Sequence, residues 1–273
     1  MIKKNIISQI FSLKNKVVVL TGSAGRLGTR YAHVLSDAGA NVVLIDKIEN
    51  KNKTLEKKIR KKYHTHPLSI SLDITIESDV KKLVSLIMKK YHKIDVLINN
   101  AHIVPRSDSR KDSAFENYPL DLWEVMVSTN LRGLFLCSRE IGRIMKKQRN
   151  GNIINISTIY GLVGPDQRIY GKSKLNSPSG YSVFKGGLVN FTRHLAASWA
   201  GNNIRVNTLT LGGVYDKKLH TDKQFVKNYS YKTMIGRMAN KDDYDGALLF
   251  LTSNASSYMT GANLVVDGGW TAW

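Results

Sequence analysis

Short apolar segments alternate with helical patterns along this chain, and the first segment runs directly into a glycine-rich turn. Residues 16–20 are mostly β-branched or leucine, and residues 21–28 supply three glycines before an amphipathic pattern begins. A strand, a glycine turn and a helix in this order form a cradle for phosphate groups, because backbone N–H groups at the helix N-terminus face the anion. The order therefore predicts a nucleotide-binding βα unit.

A second strand pattern, residues 41–46, ends in Asp46, eighteen residues after Gly28. A carboxylate at this position accepts hydrogen bonds from the adenosine ribose hydroxyls of a dinucleotide and repels a 2′-phosphate. The pattern therefore favours NAD over NADP as the cofactor. NADP is not excluded, since Arg26 and Lys47 lie close enough in sequence to interact with a phosphate.

Further strand patterns alternate with helical ones over the rest of the chain. They cover residues 68–72, 95–98, 152–157, 204–209 and 263–266. This alternation predicts an α/β fold, a Rossmann-type doubly wound parallel sheet of seven strands in a single domain over residues 1–273. Such sheets bind ligands at the carboxyl ends of their strands, where the polar residues of this chain follow the apolar segments.

Tyr181 and Lys185 lie four residues apart at the start of an apolar stripe that predicts a long helix. A lysine ammonium beside a phenol favours the phenolate, so Tyr181 is a candidate proton donor and acceptor. Tyr170 and Lys174 have the same spacing, but the residues after Tyr170 are rich in glycine and serine, and Pro178 would break a helix. Tyr181 is therefore favoured.

Taken together, these motifs resemble the short-chain dehydrogenase/reductase family over residues 14–270. The resemblance implies a hydride transfer between NAD(P) and a secondary alcohol or ketone, with four catalytic residues. Ser157, after the fifth strand, would bind the substrate oxygen, and Tyr181 would exchange a proton with it. Lys185 would hold the nicotinamide ribose and favour the tyrosinate, and Asn130, in a long helical pattern from Asp121, would anchor a water that links Lys185 to solvent.

The glycine turn and the family resemblance together predict a set of cofactor contacts at the carboxyl edge of the sheet. These are Gly22, Ser23, Gly25, Arg26, Leu27, Gly28, Asp46, Asp73, Asn100, Ala101, Tyr181, Lys185, Gly212 and Val214.

The chain departs from the family pattern at four places. Arg26 stands at the second turn glycine, where a side chain either crowds the pyrophosphate or turns outward to contact the cofactor. His102 follows Asn-Asn-Ala in place of a glycine, and Leu211 replaces a proline before Gly212. Ser157 and Tyr181 are 24 residues apart, which makes residues 164–179 an insertion between two catalytic residues.

The insertion and a substrate lid over residues 213–237 are rich in polar and basic side chains. If Arg168 and Lys172 line the pocket, the substrate is polar and possibly anionic, such as a sugar or sugar phosphate. A surface loop or a subunit contact explains the insertion equally well. A 3-oxoacyl-carrier-protein reductase is an alternative within the same chemistry, and a non-catalytic cofactor-binding scaffold or sensor is an alternative of another class.

The chain is strongly basic, with 41 Lys and Arg against 21 Asp and Glu and a net charge of +20. The densest run, residues 51–62, lies on a predicted exposed helix without interleaved aromatic residues, so nucleic acid binding is not expected. A single cysteine, Cys137, excludes an internal disulfide and a cysteine-cluster metal site, and no metal is predicted.

No apolar run is long enough to cross a bilayer, and polar residues interrupt the basic N-terminal segment before a signal-peptide core can form. The sequence therefore predicts a cytoplasmic protein without membrane contacts. The family resemblance implies a homodimer or homotetramer assembled through the helices that contain Asn130 and Tyr181.

Overall fold

The computed structural model describes residues 5–105, 108–172 and 176–273, and its centre is a sheet of seven parallel strands. The strands are β1 Val17–Thr21, β2 Asn41–Asp46, β3 Leu68–Ser71, β4 Val96–Asn99, β5 Gly151–Thr158, β6 Ile204–Leu211 and β7 Asn263–Val266. Their order in the sheet is β3-β2-β1-β4-β5-β6-β7. The predicted fold class is therefore confirmed. The chain turns in opposite directions from β1 and β4, and a crevice forms between the carboxyl ends of these two strands.

Helices cover both faces of the sheet. The α-helices of the described residues are α1 Ile6–Ile10, α2 Arg26–Asp37, α3 Glu49–Tyr63, α4 Glu77–Tyr91, α5 Leu120–Val127, α6 Leu134–Gln148, α7 Ser179–Ser198, α8 Lys223–Tyr231 and α9 Asp245–Thr252. Apolar residues of α2, α3 and α9 form one core with the sheet, and those of α4, α6 and α7 form a second core on the opposite face.

The strand sequences fit this two-sided burial. In β1, Val18 and Leu20 belong to the first core and Val17 and Val19 to the second, and all four are buried. Side chains alternate between the faces of a strand, so a strand covered on both faces is mostly apolar. This is why β1 reads as a continuous apolar segment.

Two elements differ from the sequence prediction. The long helix predicted from Asp121 is interrupted by a π-helical segment, Ser128–Gly133, between α5 and α6. The predicted lid contains the helix α8, whose Phe225 and Tyr229 are buried. They join Ile159, Ile169 and other residues in a third apolar cluster, separate from the two cores of the sheet.

No helix within the described ranges is long and apolar enough to span a membrane.

Candidate active site

A cavity of about 660 Å³ opens at the carboxyl ends of the strands, which is within the usual range for ligand sites. Most of the predicted site residues line it: Gly22, Gly25, Arg26, Leu27, Gly28, Asp46, Asn100, Ala101, Ser157, Tyr181, Lys185, Gly212 and Val214. Side chains from both halves of the chain therefore meet at one edge of the sheet.

The glycine turn fits the phosphates of a dinucleotide. Gly22 has a φ of +66°, and a Cβ there would lie 2.8 Å from the Cα of Ala101. A Cβ on Gly28 would lie 2.0 Å from the carbonyl oxygen of Gly22, so the turn closes only with glycines at both positions. Gly25 precedes α2 as its N-cap and makes no side-chain cap, which leaves N–H groups of the first turn for an anion in the cavity.

Asp46 lies at the end of β2 with its carboxylate beside the glycine turn. One carboxylate oxygen accepts a hydrogen bond from the N–H of Ala24 at 2.9 Å, and the other accepts one from the N–H of Ile48 at 3.0 Å. These bonds fix the orientation of the carboxylate at the cavity wall. Its remaining lone pairs can accept bonds from ribose hydroxyls.

The two cations that could bind a 2′-phosphate are each paired with a carboxylate. The guanidinium of Arg26 donates to Asp216 at 3.0 Å and to the carbonyl of Val214 at 3.2 Å. The ammonium of Lys47 lies 2.7 Å from a carboxylate oxygen of Asp73. Both charges are therefore balanced from within the protein.

Two predicted cofactor contacts, Ser23 and Asp73, lie outside the cavity lining. The hydroxyl of Ser23 is buried and donates to Asn52 at 2.7 Å, on the inner side of the turn. The carboxylate of Asp73 binds Lys47 and accepts two hydrogen bonds from Thr75. A sequence motif does not state which of its side chains face the ligand.

Thr21 was not among the predicted site residues. Its hydrogen bonds connect the carboxyl ends of β1 and β4. Its hydroxyl oxygen accepts hydrogen bonds from the N–H groups of Asn100 and Ala101, each at 3.0 Å. The amide of Asn100 donates in return to the carbonyls of Thr21 and Gly22. This set of bonds fixes the floor of the crevice.

Two hydrogen bonds connect Lys185 of α7 to the end of β5, one with Ser157 and one with Ile156. The hydroxyl of Ser157 donates to the carbonyl of Lys185 at 3.2 Å, and the ammonium of Lys185 donates to the carbonyl of Ile156 at 2.8 Å. Tyr181 lies one turn before Lys185 in the first turn of α7, where it also lines the cavity. The predicted catalytic serine, tyrosine and lysine are thus brought to one wall.

Burial lowers the pKa of Lys185 to about 8, because the protein interior disfavours the charged ammonium. Only 6% of the residue is exposed. A lysine with this pKa gains or loses its proton near neutral pH, which suits a group that supports proton transfer.

Gly161 allows the chain that leaves β5 to pass close to α7. A Cβ at this position would lie 2.7 Å from both the Ser157 hydroxyl oxygen and the Lys185 carbonyl oxygen. Gly161 was not among the predicted site residues, because the sequence around a single glycine in a loop does not show which residues contact it.

Asn130 is buried in the π-helical segment and does not line the cavity. Its amide donates to the carbonyl of Ile103 at 3.0 Å and accepts from the N–H of Ile103 at 3.1 Å. Ile103 does line the cavity. Asn130 therefore holds the segment after β4 in place, and its predicted role as a water anchor stays a prediction.

The two candidate tyrosines, Tyr170 and Tyr181, lie in different secondary structures. Tyr170 ends a 3-10 helix, Gln167–Tyr170, whereas Tyr181 is on α7. Lys174 lies outside the described residues. The choice of Tyr181 as the helical partner of a lysine agrees with this placement.

Aromatic side chains line the cavity beyond Tyr181. They are Tyr160, Tyr170, Phe225 and Tyr229, with His220 and Met238. The rings of Tyr170 and Phe225 are parallel, with centroids 5.5 Å apart. The insertion thus contributes Tyr170 to the wall, and the lid contributes Phe225.

The expectation that Arg168 and Lys172 line the pocket is wrong. The side chain of Arg168 is 88% exposed and is bound to Asp166 on the surface, and Lys172 is also exposed. Neither belongs to the cavity lining, whereas His102 does. Arg168 and Lys172 face outward, whereas Ile169 between them is buried and Tyr170 packs beside it in the third apolar cluster.

Comparison with known proteins agrees with this geometry. A family model described as enoyl-(acyl carrier protein) reductase matches residues 22–271. A short-chain dehydrogenase from Leptospira borgpetersenii, solved with bound NAD+, is 32% identical with a TM-score of 0.83, over 99% of this chain and 97% of that one. The chain belongs to the short-chain dehydrogenase/reductase family.

Two other similar proteins differ in what their names describe. A gluconate 5-dehydrogenase from Burkholderia cenocepacia, in complex with NADP and tartrate, is 27% identical with a TM-score of 0.87, over 98% of this chain and 99% of that one. The post-translational flagellin modification protein A of Campylobacter coli is 32% identical, over 94% of this chain and 99% of that protein.

As a short-chain dehydrogenase/reductase, the protein is an oxidoreductase that acts on an alcohol or ketone with a nicotinamide cofactor. The alternative of a non-catalytic scaffold is therefore set aside. The relatives bind NAD+ or NADP and act on different compounds, so neither the preferred cofactor nor the substrate follows from membership.

Proposed function

We propose that the protein is an NAD-dependent dehydrogenase of a neutral, hydroxylated secondary alcohol and reductase of the corresponding ketone. The observation that carries the cofactor choice is the arrangement around Asp46. Its carboxylate faces the cavity, while Arg26 and Lys47 are engaged by Asp216 and Asp73. A 2′-phosphate there would meet a negative charge without a cation released to balance it.

The proposed catalytic roles follow from the atoms at the cavity wall. The bound nicotinamide supplies or accepts the hydride at the substrate carbon. The Ser157 hydroxyl donates a hydrogen bond to the substrate oxygen, and the Tyr181 hydroxyl exchanges a proton with that oxygen. The ammonium of Lys185 favours the phenolate of Tyr181 from one helical turn away. Asn130 positions the segment through Ile103.

The proposed cofactor contacts are the glycine turn, Asp46, Asn100, Ala101 and the chain from Gly212 to Val214. Ser23 and Asp73 are proposed to act indirectly, Ser23 by anchoring the turn to Asn52 and Asp73 by neutralising Lys47.

A neutral substrate fits the wall beyond Tyr181. None of the residues described there is a lysine or an arginine. They are Tyr160, Tyr170, Phe225, Tyr229, His220 and Met238. Aromatic faces pack on the carbon faces of a ring, and tyrosine hydroxyls bind its oxygens. A sugar or another hydroxylated ring is therefore favoured over a sugar phosphate.

The cofactor proposal is tested by titrating the protein separately with NADH and NADPH, following nicotinamide fluorescence at a fixed ionic strength. We expect NADH to bind at least about tenfold more tightly, because Asp46 repels the phosphate. Asp46→Asn should reduce this preference, while the control Asp37→Asn, at an exposed position on α2, should leave it unchanged. Tighter binding of NADPH by the unaltered protein would contradict the proposal.

A 3-oxoacyl-carrier-protein reductase is the second candidate, favoured by the net charge of +20, which suits an acidic carrier protein. The two candidates are distinguished by comparing the turnover of acetoacetyl-carrier protein with that of acetoacetyl-pantetheine. Faster turnover of the carrier-bound form, lost at high salt, would favour this candidate over a free neutral substrate.

A further inference from the structure

Arg26 makes a contact that a glycine at the same position of the turn could not make. It begins α2 at the cavity, and its guanidinium reaches the segment between β6 and α8. There it binds the carboxylate of Asp216 at 3.0 Å and the carbonyl of Val214 at 3.2 Å. We call this segment, residues 214–222, the cover loop.

The cover loop is held at its start by the rest of the protein. Val214 forms a β-bridge with Ala239, and the N–H of Tyr215 donates to the carbonyl of Ala239 at 2.8 Å. Further along, the N–H of Asp216 donates to His220 at 2.9 Å, which keeps the loop folded on itself. The contact with Arg26 joins this folded loop to the glycine turn.

The ion pair lies where the phosphates of the cofactor would enter. Arg26 and Val214 both line the cavity, and the side chains of Arg26 and Asp216 are 35% and 25% exposed. Two N–H donors of the guanidinium are used by the cover loop, and Asp216 balances its charge, so the side chain is placed to hold the loop.

We propose that Arg26 and Asp216 form a latch that holds the cover loop over the bound dinucleotide and thereby slows its release. The cofactor leaves only when the glycine turn and the cover loop separate, and separation breaks this ion pair. The latch needs only the nicotinamide cofactor common to the family, so it does not depend on the preference for NAD.

The test is the rate at which the cofactor leaves, measured by stopped-flow fluorescence as NADH is displaced by excess NAD+. If the titration shows tighter binding of NADPH, the same experiment uses NADPH and NADP+. Asp216→Asn should accelerate release by about three- to tenfold, as expected for a partly exposed charge pair. Asp245→Asn is the matched control. It breaks the ion pair between Asp245 and Arg30, which lies on α2 as Arg26 does, and neither Asp245 nor Arg30 lines the cavity.

A double-variant cycle separates the latch from a direct phosphate contact. In the Arg26→Ala background, Asp216→Asn should leave the release rate unchanged, because the pair is already broken. In the cofactor-free protein, hydrogen exchange of the amides of residues 216–222 should accelerate in both single variants and not in Asp245→Asn. An unchanged release rate in Asp216→Asn, or the same acceleration without Arg26, would overturn the proposal.

Discussion

The environment of Lys185 disfavours the charged form of its side chain. Its ammonium lies 2.8 Å from the carbonyl of Ile156 and has no carboxylate partner among the described residues. Burying an unpaired cation is unfavourable, which is why its pKa falls to about 8. A lysine in such a position beside a tyrosine of the cavity is typical of an active site.

Gly161 gives a prediction about the position of Ser157. Gly161→Ala places a methyl group against the Ser157 hydroxyl and the Lys185 carbonyl, each at 2.7 Å, so one of them has to move. We expect kcat to fall by about ten- to a hundredfold, because the serine loses its alignment with the substrate oxygen. NADH binding, measured by fluorescence, should change little, since Gly161 does not line the cavity.

Gly164→Ala is the control for this prediction. Gly164 follows in the same loop, and a methyl group added there would meet none of the described residues beyond its chain neighbours within 4 Å. This position should therefore tolerate alanine. Equal kcat values for the two variants would show that the close approach at Gly161 has no catalytic importance.

The placement of residues that belong to a motif could be predicted from the sequence, and contacts that depend on close approach could not. Asp46, Ser157 and Tyr181 follow strands or start a helix, so their meeting at one edge follows from the fold. Gly161 and Thr21 act through neighbours that are distant in the chain, and no local pattern announces them.

At the scale of elements, the π-helical segment Ser128–Gly133 is the feature that periodicity missed. A π-helical segment closes its turns with bonds from residue i to residue i+5, and the apolar pattern of the sequence does not show where this happens. Asn130 lies in this segment and binds both backbone groups of Ile103. Segments of this kind occur frequently at functional sites.

The insertion and α8 are joined to each other. Lys232 lies 3.0 Å from the carboxylate of Asp166, and Asn228 donates to the carbonyl of Ile169 at 3.1 Å. Composition predicted two polar segments that face the substrate. Instead, Arg168 and Lys172 are exposed, and Tyr170 of the insertion and Phe225 of α8 line the cavity.

A substitution of Phe225 tests the proposed substrate class. Phe225→Leu removes the parallel partner of Tyr170, and we expect it to lower kcat/KM for a cyclic secondary alcohol relative to an open-chain one of equal carbon count. The ratio should fall by about two- to tenfold, the range of an aromatic contact. Tyr231→Leu, on the exposed face of α8, should leave the ratio unchanged. A ratio unaffected by Phe225→Leu would exclude the stacked pair as a specificity wall.

For the whole molecule, the fold was predictable because strands rich in apolar residues alternate with helices along the chain. The seven strand patterns correspond to the seven strands, with ends that differ by up to two residues. Side-chain directions in loops were not predictable, since they depend on which residues the third apolar cluster buries.

The basic charge lies on the surface where the sequence predicted it. In α3, the buried residues are Asn52, Leu55 and Ile59, and the lysines are exposed. The cytoplasmic location and the homodimeric or homotetrameric assembly stay predictions. Sedimentation of the purified protein measures the number of subunits.

The proton transfer proposed for Tyr181 is tested by Tyr181→Phe. The variant keeps the ring packed between Tyr160 and Phe184 and removes only the hydroxyl. Using a secondary alcohol that the unaltered enzyme oxidises, we expect kcat to fall by about a hundredfold to ten-thousandfold, with NADH affinity within about twofold. Turnover equal to that of the unaltered enzyme, with the cofactor still bound, would contradict a proton transfer by Tyr181.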